Sequence, residues 1–211
     1  MCSGEIKCMM ESEGKILLLL TGGTICSFGD EQGNRRDVDI QKAKALLLQY
    51  FEESDSPCAH QKFEVVTILN TLSENMTIPK WNELLRFFKK CDFSQYRGIV
   101  IAHGTDTMAY TAAALSYMVQ NTKKPIVITG AQKPIDLEIT DAKSNLIDSF
   151  LYAADDRSQG VQIVFDGKVI AGTRAKKVRS KSYNAFSSID YPSLAVIQDM
   201  NIMRYIPMLP Y

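Results

Sequence analysis

Residues 98–130, GIVIAHGTDTMAYTAAALSYMVQNTKKPIVITG, carry the pattern that decides the fold. An apolar run, GIVIA, ends at the polar turn HGTD, and a helix-forming stretch then leads to a second apolar run, PIVITG. Short apolar runs that alternate with helices are typical of a parallel sheet with helices on both faces. Thr107 is a favourable N-cap for the helix between the two runs. The segment therefore predicts a β-α-β unit.

The same alternation continues on both sides of this unit. Pro79 suits the first turn of the helix that precedes it, and the dipeptide Asp166–Gly167 predicts a tight hairpin after it. The predicted strands are KILLLL (15–20), FEVVTIL (63–69) and VQIVF with KVIAG (161–172); the predicted helices are IQKAKALLLQYFEE (40–53), PKWNELLRFFKK (79–90) and TDAKSNLIDSFLYAADD (140–156). The predicted fold class is therefore α/β, a three-layer, Rossmann-like domain around a parallel sheet.

The composition favours an ordinary globular protein whose partner is a small-molecule substrate or another protein. Of 211 residues, 45% are hydrophobic and 23% are charged, which suffices for a substantial core. Lys and Arg total 24, as do Asp and Glu, so the zero net charge gives no electrostatic reason to expect nucleic acid or a membrane surface as a partner. The longest early apolar run, ILLLL at residues 16–20, is too short for a signal peptide or a membrane span.

The cysteines and histidines argue against disulfide and metal chemistry. The cysteines are odd in number and lack CxxC spacing, which predicts neither a disulfide framework nor a zinc site and favours a reducing, cytoplasmic compartment. They are Cys2, Cys8, Cys26, Cys58 and Cys91. Besides His103 the chain has one other histidine, His60, so we expect no metal and no other cofactor.

Four polar stretches follow directly on predicted strands. They are TGGTI (21–25), TLSEN (71–75), HGTD (103–106) and GAQ (130–132). In an open parallel sheet, ligands bind just beyond the carboxyl ends of the strands. Because all four loops would meet at that edge, they predict one shared site rather than four separate surface turns.

Two interpretations of TGGTI differ in the chemistry that they assign to it. Gly22 and Gly23 permit a sharp turn, which is either a plain strand-to-helix turn or one that brings backbone N–H groups close to a bound group, as in a phosphate-binding loop. Neither GxGxxG nor GK[ST] is present, which disfavours a nucleotide. The alternative interpretation is that Thr24 is a nucleophile presented on a strained turn.

The other polar residues also have a structural and a catalytic interpretation. Thr105 and Asp106 can cap the following helix, and His103 is more typical of a packed strand end than of a catalytic base. In TRAKKVRSKSYNAF (173–186), most basic residues are typical of a solvated surface, but a lysine held near two hydroxyls and a carboxylate can activate a threonine. On the structural interpretation, Ser73 is an ordinary loop residue and Asp141 is an ordinary N-cap.

Taken together, these stretches resemble the bacterial-type L-asparaginase family, in its cytoplasmic, type I-like branch. TGGTI and HGTDTMAYTA (103–112) are similar to the two signature regions of that family, and VITGAQKP (127–134) is similar to the segment that follows. KVIAGTRAKKVRSKSYNAFSSIDYPSL (168–194) is similar to a fourth region. The resemblance runs from about Lys15 to the C-terminus and implies hydrolysis of the side-chain amide of L-asparagine to L-aspartate and ammonia.

The resemblance also implies a role for each residue. Thr24 would attack the amide carbon and form an acyl-enzyme, while Thr105, Asp106 and Lys177 would form the group that handles protons. Main-chain N–H groups near Thr24 and Ala131 would stabilise the oxyanion. Ser73 and Asp106 would hold the α-carboxylate and α-amino groups of the substrate, with Glu74 beside them. Further substrate contacts would come from Gly23, Thr105 and Ala131.

Three features depart from the family pattern. Relatives have a second, C-terminal domain, so the expected organisation is a flexible N-terminus (1–14), an N-terminal asparaginase domain (15–200) and the start of an inter-domain linker (201–211), with the C-terminal domain absent. Many relatives place a tyrosine in the loop over the threonine, where this chain has Asn34. Glu74 stands where Gln or Ser is common and adds a negative charge.

Other functions remain open at this point. The family includes the amidase subunit of a tRNA-dependent glutamyl amidotransferase, and a shortened chain could also be inactive or bind asparagine without turnover. The resemblance further implies a homo-oligomer, a dimer or tetramer, that the missing domain weakens. Exposed apolar surface would then favour aggregation. The sequence does not decide between asparagine and glutamine as the substrate.

Overall fold

The computed structural model describes residues 14–29, 35–38, 41–42, 44–46, 49 and 61–206. Helices with defined bounds in this part of the chain are α1 (Ile78–Lys90), α2 (Met108–Met118) and α3 (Ala142–Ala154). The strands are β1 (Lys15–Gly22), β2 (Ser27–Gly29), β3 (Arg35–Val38), β4 (Phe63–Thr71), β5 (Tyr96–Ala102), β6 (Pro125–Thr129), β7 (Gly160–Phe165), β8 (Lys168–Ala171), β9 (Ala175–Lys177), β10 (Phe186–Ser188), β11 (Ala195–Gln198) and β12 (Asn201–Arg204).

Eight of these strands form one sheet in the order β12-β11-β8-β7-β6-β5-β1-β4. The pairings from β4 through β1, β5 and β6 to β7 are parallel, whereas β8, β11 and β12 extend the sheet with antiparallel pairings. The β7–β8 hairpin turns through Asp166 and Gly167, whose φ angles are +51° and +68°. The prediction of an α/β fold with a largely parallel sheet is confirmed, and so is the hairpin.

The side chains of β1 explain why the molecule has three layers. Ile16, Leu18 and Leu20 pack in one core cluster with residues of α3, and Leu17 and Leu19 pack in a second cluster with residues of α1 and α2. All five side chains are completely buried. A strand that is apolar at every position can be buried on both faces of the sheet. Accordingly, α3 covers one face, and α1 with α2 covers the other.

The end of the sheet differs from the sequence prediction. Asn201–Arg204 form β12, which pairs with β11 in antiparallel register, Arg204 opposite Ala195. This part of the segment that was expected to begin a linker therefore belongs to the edge of the sheet. Among the helices that the structure describes, none combines the length and the hydropathy needed to cross a bilayer.

Several predictions fall wholly or partly outside the described residues. Helical backbone is present at residues 41–42, 44–46 and 49, within the helix predicted for residues 40–53. Residues on either side of Asn34 form the antiparallel pair of β2 and β3. The remaining predictions lie outside the described part of the chain: the N-terminus up to residue 13, Cys2, Cys8, Asn34, Cys58, His60 and residues 207–211.

Candidate active site

Glycines allow the strand-end loops to touch backbone to backbone. Gly22 and Gly23 end β1 with φ angles of +100° and +79°, which favour glycine. A Cβ on Gly22 would collide with the backbone of Thr71 after β4, and a Cβ on Gly23 would collide with Gly104 after β5. A Cβ on Gly104 would in turn lie 2.6 Å from Ser73 Oγ. These loops therefore meet at one edge of the sheet, as the sequence predicts.

Lys177 lies at the centre of the polar contacts at this edge. Its Nζ donates to Thr105 Oγ1 at 2.7 Å and to Asp106 Oδ1 at 2.7 Å. The lysine comes from β9, which pairs with β10 through Phe186 opposite Lys177. The side chain of Lys177 is 16% exposed and that of Asp106 is 53% exposed. The ion pair is therefore sheltered on the lysine side and open to solvent on the carboxylate side.

Ser73 links the loop after β4 to the loop after β5. Its hydroxyl accepts from the Asp106 backbone N–H at 3.2 Å and donates to Asp106 Oδ2 at 3.4 Å. The Thr107 hydroxyl donates to the Ser73 carbonyl at 2.7 Å, so Thr107 occupies the N-cap position of α2 without making a side-chain capping bond. Ser73 is buried, whereas Glu74 beside it is exposed. These hydrogen bonds fix the two loops to each other beside Asp106.

Gln132 belongs to this constellation, although the sequence gives it no signal beyond its place in the strand-end stretch GAQ. Its Oε1 accepts from Thr105 Oγ1 at 3.1 Å. Its Nε2 donates to the carbonyls of Ser180 and Ser182 at 3.2 and 3.1 Å. The Thr105 hydroxyl thus accepts from Lys177 and donates to Gln132. Gln132 also connects that hydroxyl to the segment that follows Lys177.

Asp141 has a different role from the predicted one. It occupies the N-cap position of α3, but its side chain makes no capping hydrogen bond. Its carboxylate instead accepts from the backbone N–H groups of Gln132 and Lys133, at 2.9 and 3.0 Å, and from Asn145 Nδ2 at 3.3 Å. Burial raises the pKa of Asp141, and these hydrogen bonds oppose the rise. The carboxylate thereby holds the turn that contains Ala131 and Gln132.

Thr24 begins a 3₁₀ turn, Thr24–Cys26, directly after Gly23. Its side chain is partly buried, whereas Cys26 and Ala131 are fully buried in the same core cluster. Burial raises the pKa of the Cys26 thiol to about 12, so it carries almost no thiolate at neutral pH. Of the two groups on this turn that could act as nucleophiles, Thr24 is the accessible one.

The structure brings the candidate residues to four adjacent strands of the sheet. Ser73 follows β4, Thr24 follows β1, Thr105 with Asp106 follows β5, and Ala131 follows β6. Direct hydrogen bonds join Ser73, Thr105, Asp106 and Lys177. In the part of the chain that is described, no group of three or more His, Cys, Asp or Glu side chains is placed to hold a metal ion. The arrangement can handle protons between a lysine, a hydroxyl and a carboxylate.

Comparison with known proteins identifies the family of this domain. The family model described as "Asparaginase, N-terminal" matches residues 15–207. The chain belongs to the asparaginase family. Its glycine-lined sheet edge and the Lys177 contacts are thus features of an asparaginase N-terminal domain.

The chain is similar to asparaginases of known structure. It is 37% identical over 194 residues to the L-asparaginase of Thermococcus kodakarensis, a match that covers 92% of this chain and 57% of that protein. The solved structure of the thermostable L-asparaginase from that organism gives a TM-score of 0.79 and covers 93% of this chain and 58% of that one. A probable cytoplasmic L-asparaginase from Campylobacter jejuni, 27% identical, gives a TM-score of 0.77 over 93% of this chain and 60% of that one.

A relative whose name indicates another activity matches the same region. A glutamyl-tRNA(Gln) amidotransferase component of Methanobrevibacter smithii is 35% identical over 203 residues, which are 90% of this chain and 44% of that protein. The chain therefore spans about half the length of the curated relatives it matches, between 44% and 57% for these two. Both kinds of relative match about nine tenths of this chain.

Proposed function

We propose that the chain hydrolyses L-asparagine to L-aspartate and ammonia, with Thr24 as the nucleophile. The observation that carries the proposal is the position of Lys177 Nζ, 2.7 Å from both Thr105 Oγ1 and Asp106 Oδ1. A sheltered ammonium between a hydroxyl and a carboxylate, at the edge where parallel sheets bind ligands, suits proton transfer. Similarity to L-asparaginases of two organisms supports the same substrate.

The first half of the reaction forms an acyl-enzyme. Thr24 Oγ1 bonds to the side-chain amide carbon of asparagine, and the carbon–nitrogen bond breaks. The hydroxyl proton of Thr24 is transferred to the amide nitrogen, so the products are an ester on Thr24 and one molecule of ammonia. Main-chain N–H groups near Thr24 and Ala131 stabilise the negative charge that develops on the carbonyl oxygen.

The second half of the reaction releases the product. Water attacks the ester carbon, one of its protons returns to Thr24 Oγ1, and L-aspartate leaves. The Thr105 hydroxyl, directed by Lys177 and Gln132, takes part in moving these protons. Asp106 stabilises the charge of Lys177 during the transfer.

Substrate orientation comes from the groups around Ser73. The Asp106 carboxylate, whose side chain is 53% exposed, receives the α-amino group of asparagine, and the exposed Glu74 adds a second negative charge nearby. The Ser73 hydroxyl, whose bond to Asp106 Oδ2 is long at 3.4 Å, turns to the α-carboxylate, and Gly23, whose N–H donates to the Thr71 carbonyl, shapes the turn beside it. A fixed orientation of the amide carbon next to Thr24 raises the rate of attack, because the bound substrate is already held in the reactive geometry.

Ammonia release tests the proposal. Parent protein and Thr24→Ala are assayed with L-asparagine and, separately, with L-glutamine. The control is Thr122→Ala, whose hydroxyl bonds with Lys124 in the turn before β6. We expect release by the parent and the control, and none by Thr24→Ala. Equal release by Thr24→Ala would refute the nucleophile, and a folded parent that binds asparagine without releasing ammonia would be a binding protein.

A second candidate function is hydrolysis that supplies ammonia to a partner enzyme. The observation that favours it is the 35% identity to a component of an amidotransferase, close to the 37% identity to an L-asparaginase. In that case glutamine is the better substrate, and hydrolysis depends on the partner. Preference for asparagine in the absence of any partner excludes this function.

We further propose that the protein acts in the cytoplasm as a homo-oligomer, without nucleic acid or a membrane as partner. The similarity to a probable cytoplasmic L-asparaginase supports the cytoplasmic location. The zero net charge supports the absence of nucleic acid and membrane as partners. Exposed large apolar side chains on α2, Tyr110, Tyr117 and Met118, support association with other chains. Sedimentation of the purified chain measures its oligomeric state directly.

A further inference from the structure

Three buried or partly buried side chains form a hydrogen-bond chain that ends in the HGTD loop after β5. Trp81 on α1 donates its Nε1–H to Thr111 Oγ1 on α2 at 2.9 Å. Thr111 Oγ1 lies 3.0 Å from His103 Nε2, and His103 Nδ1 lies 2.7 Å from the carbonyl oxygen of Gly104. Thr111 and His103 are completely buried. None of the three residues belongs to the proposed proton-handling group.

The chemistry of the partners fixes the direction of each bond. A carbonyl oxygen only accepts, so Nδ1 of His103 carries the proton that it donates to Gly104. Burial lowers the pKa of His103 to about 4, so the ring is neutral and Nε2 is an acceptor. The Thr111 hydroxyl must then donate to Nε2, while its oxygen accepts from the indole, which can only donate. The chain runs in one direction from Trp81 to Gly104.

The last bond reaches the peptide that carries Thr105. Gly104 is already confined, because a Cβ there would collide with Ser73 and one on Gly23 would collide with Gly104. Confinement fixes where the Cα of Gly104 lies, but a glycine peptide can still rotate. The bond from His103 Nδ1 removes this rotation, because it holds the carbonyl that shares a peptide plane with the Thr105 N–H.

We propose that Trp81, Thr111 and His103 are positioning residues that orient the Gly104–Thr105 peptide, and through it the Thr105 hydroxyl, against Lys177. A buried imidazole with a single permitted tautomer suits this task, because it cannot reverse its bonds without breaking both. The activity readout of this inference rests on the proposed function. The spectroscopic readout below does not.

Two substitutions of His103 separate positioning from packing. Asn places its amide N–H near the position of Nδ1 and can still donate to Gly104, whereas Gln reaches toward the position of Nε2 and meets Thr111 instead. Both remove the ring and one of its two bonds. We expect His103→Gln to lower kcat by about 10²-fold with KM little changed, as a misplaced catalytic group does. We expect His103→Asn to retain most of kcat at a similar loss of stability.

Nuclear magnetic resonance gives the readout that does not need activity. In ¹⁵N-labelled protein, the Thr105 amide is expected to shift strongly in His103→Gln and little in His103→Asn. Trp81 is the only tryptophan, so its indole N–H gives one resonance, which should shift in Thr111→Val and keep its position in Thr111→Ser. These two Thr111 variants keep the test decisive if the His103 variants fold poorly.

The possible outcomes distinguish a failure of the proposed function from a failure of the positioning role of His103. A parent that releases no ammonia refutes the proposed function, while the Thr105 amide shift still tests the positioning of the peptide. Equal effects of His103→Asn and His103→Gln on both kcat and the Thr105 amide would overturn the inference, because His103 would then contribute packing alone. An indole resonance that does not respond to Thr111→Val would overturn it as well.

Discussion

The ammonium of Lys177 contacts a hydroxyl and a carboxylate that neighbouring residues supply, Thr105 and Asp106. The lysine has 16% of its side chain exposed, so removal of one partner leaves a sheltered charge with fewer hydrogen bonds. Thr105 is the more informative of the two partners, because its hydroxyl both accepts from Lys177 and donates to Gln132.

Thr105→Val tests this hydroxyl with a side chain of nearly equal volume. The valine keeps the packing of a buried position but cannot relay a proton, so we expect kcat for asparagine to fall by about 10²- to 10⁴-fold. Thr105→Ser should retain most of the activity. Steady-state kinetics of both variants, with circular dichroism as a check of folding, measures the effect. A Thr105→Val enzyme with the kcat of the parent would remove Thr105 from the proton-handling group.

His103 makes the stability of the folded chain depend on pH. Its pKa is about 4 in the folded chain and 6.5 in the reference state, so between these values the unfolded chain binds more protons. The contribution of the neutral His103 ring to the free energy of unfolding is therefore fully present above pH 6.5. It falls by roughly 3 kcal/mol as the pH drops to 4. Urea unfolding of the parent and of His103→Asn at pH 4.5 and pH 7 checks this. We expect the stability difference between them to shrink at low pH; a difference independent of pH would contradict the assignment.

At the scale of the elements, the contact between α3 and the β7–β8 hairpin places two carboxylates near each other. Burial raises the pKa of Asp148 on α3 to about 6, and the charge of Asp166 in the hairpin acts in the same direction. The folded chain therefore holds a proton that the unfolded chain loses near pH 3.8. Stability from this group is complete below pH 3.8 and is lost as the pH rises to about 6.

Asp148→Asn should therefore stabilise the protein at neutral pH by about 1 to 3 kcal/mol, with no gain at pH 3.8. The pH dependence of the parent's stability does not reveal this effect, because the contribution of His103 changes with the opposite sign over nearly the same pH range. Urea midpoints of parent and variant at both pH values measure it. Asp190→Asn, at an exposed position with φ of +51°, is the matched control and should change little. Stabilisation of equal size at both pH values would argue against a raised pKa.

The glycines at the carboxyl edge of the sheet set how closely the loops approach one another. In Gly104→Ala, the new Cβ would lie 2.5 Å from Ser73 Cβ, so the loops after β4 and β5 must separate. We expect a loss of about 1 to 3 kcal/mol in unfolding free energy together with a large loss of kcat. Gly167→Ala, strained at φ of +68° in the hairpin, should lose stability and retain kcat. If both variants affect kcat equally, the close approach at Gly104 has no special role in the site.

At the scale of the whole molecule, α2 presents an outer face without charge. The helix contains no Asp, Glu, Lys or Arg, and Tyr110 and Tyr117 on it are 67% and 70% exposed. A surface helix normally carries charged residues on its outer face. The α2 face is therefore where we expect apolar association with other chains to occur.

Charged substitutions on this face test that expectation. The double variant Tyr110→Glu with Tyr117→Lys should lower the concentration-dependent light scattering of the parent, because each charge opposes burial of the face. Ile139→Lys is the control, since Ile139 is an equally exposed apolar residue that lies in a loop, at 75% exposure. Scattering that falls as much in the control as in the double variant would show that association is not specific to α2.

The three scales differ in what the sequence alone could predict. Apolar runs, Pro79, the Asp166–Gly167 turn and the glycines after β1 act over a few residues, and each was enough to predict its strand, helix start or hairpin. The convergence of TGGTI, TLSEN, HGTD and GAQ at one edge followed from the parallel order of the strands. Asp141 shows the limit, because its N-cap position was predictable but its hydrogen bonds to Gln132 and Lys133 were not.

Local chemistry therefore determines the elements, their order and the edge at which the polar loops meet, since backbone preferences and burial of apolar runs depend on near neighbours. The contacts inside the site depend on residues 71 and 72 positions apart, as between Lys177 and the pair Asp106 and Thr105. Such contacts exist only once the sheet has packed, and so do the Gln132 bridge, the His103 chain and the addition of β12 to the sheet. Distances between side chains from separate strands are set by the packing of all the layers together, which no single stretch of sequence encodes.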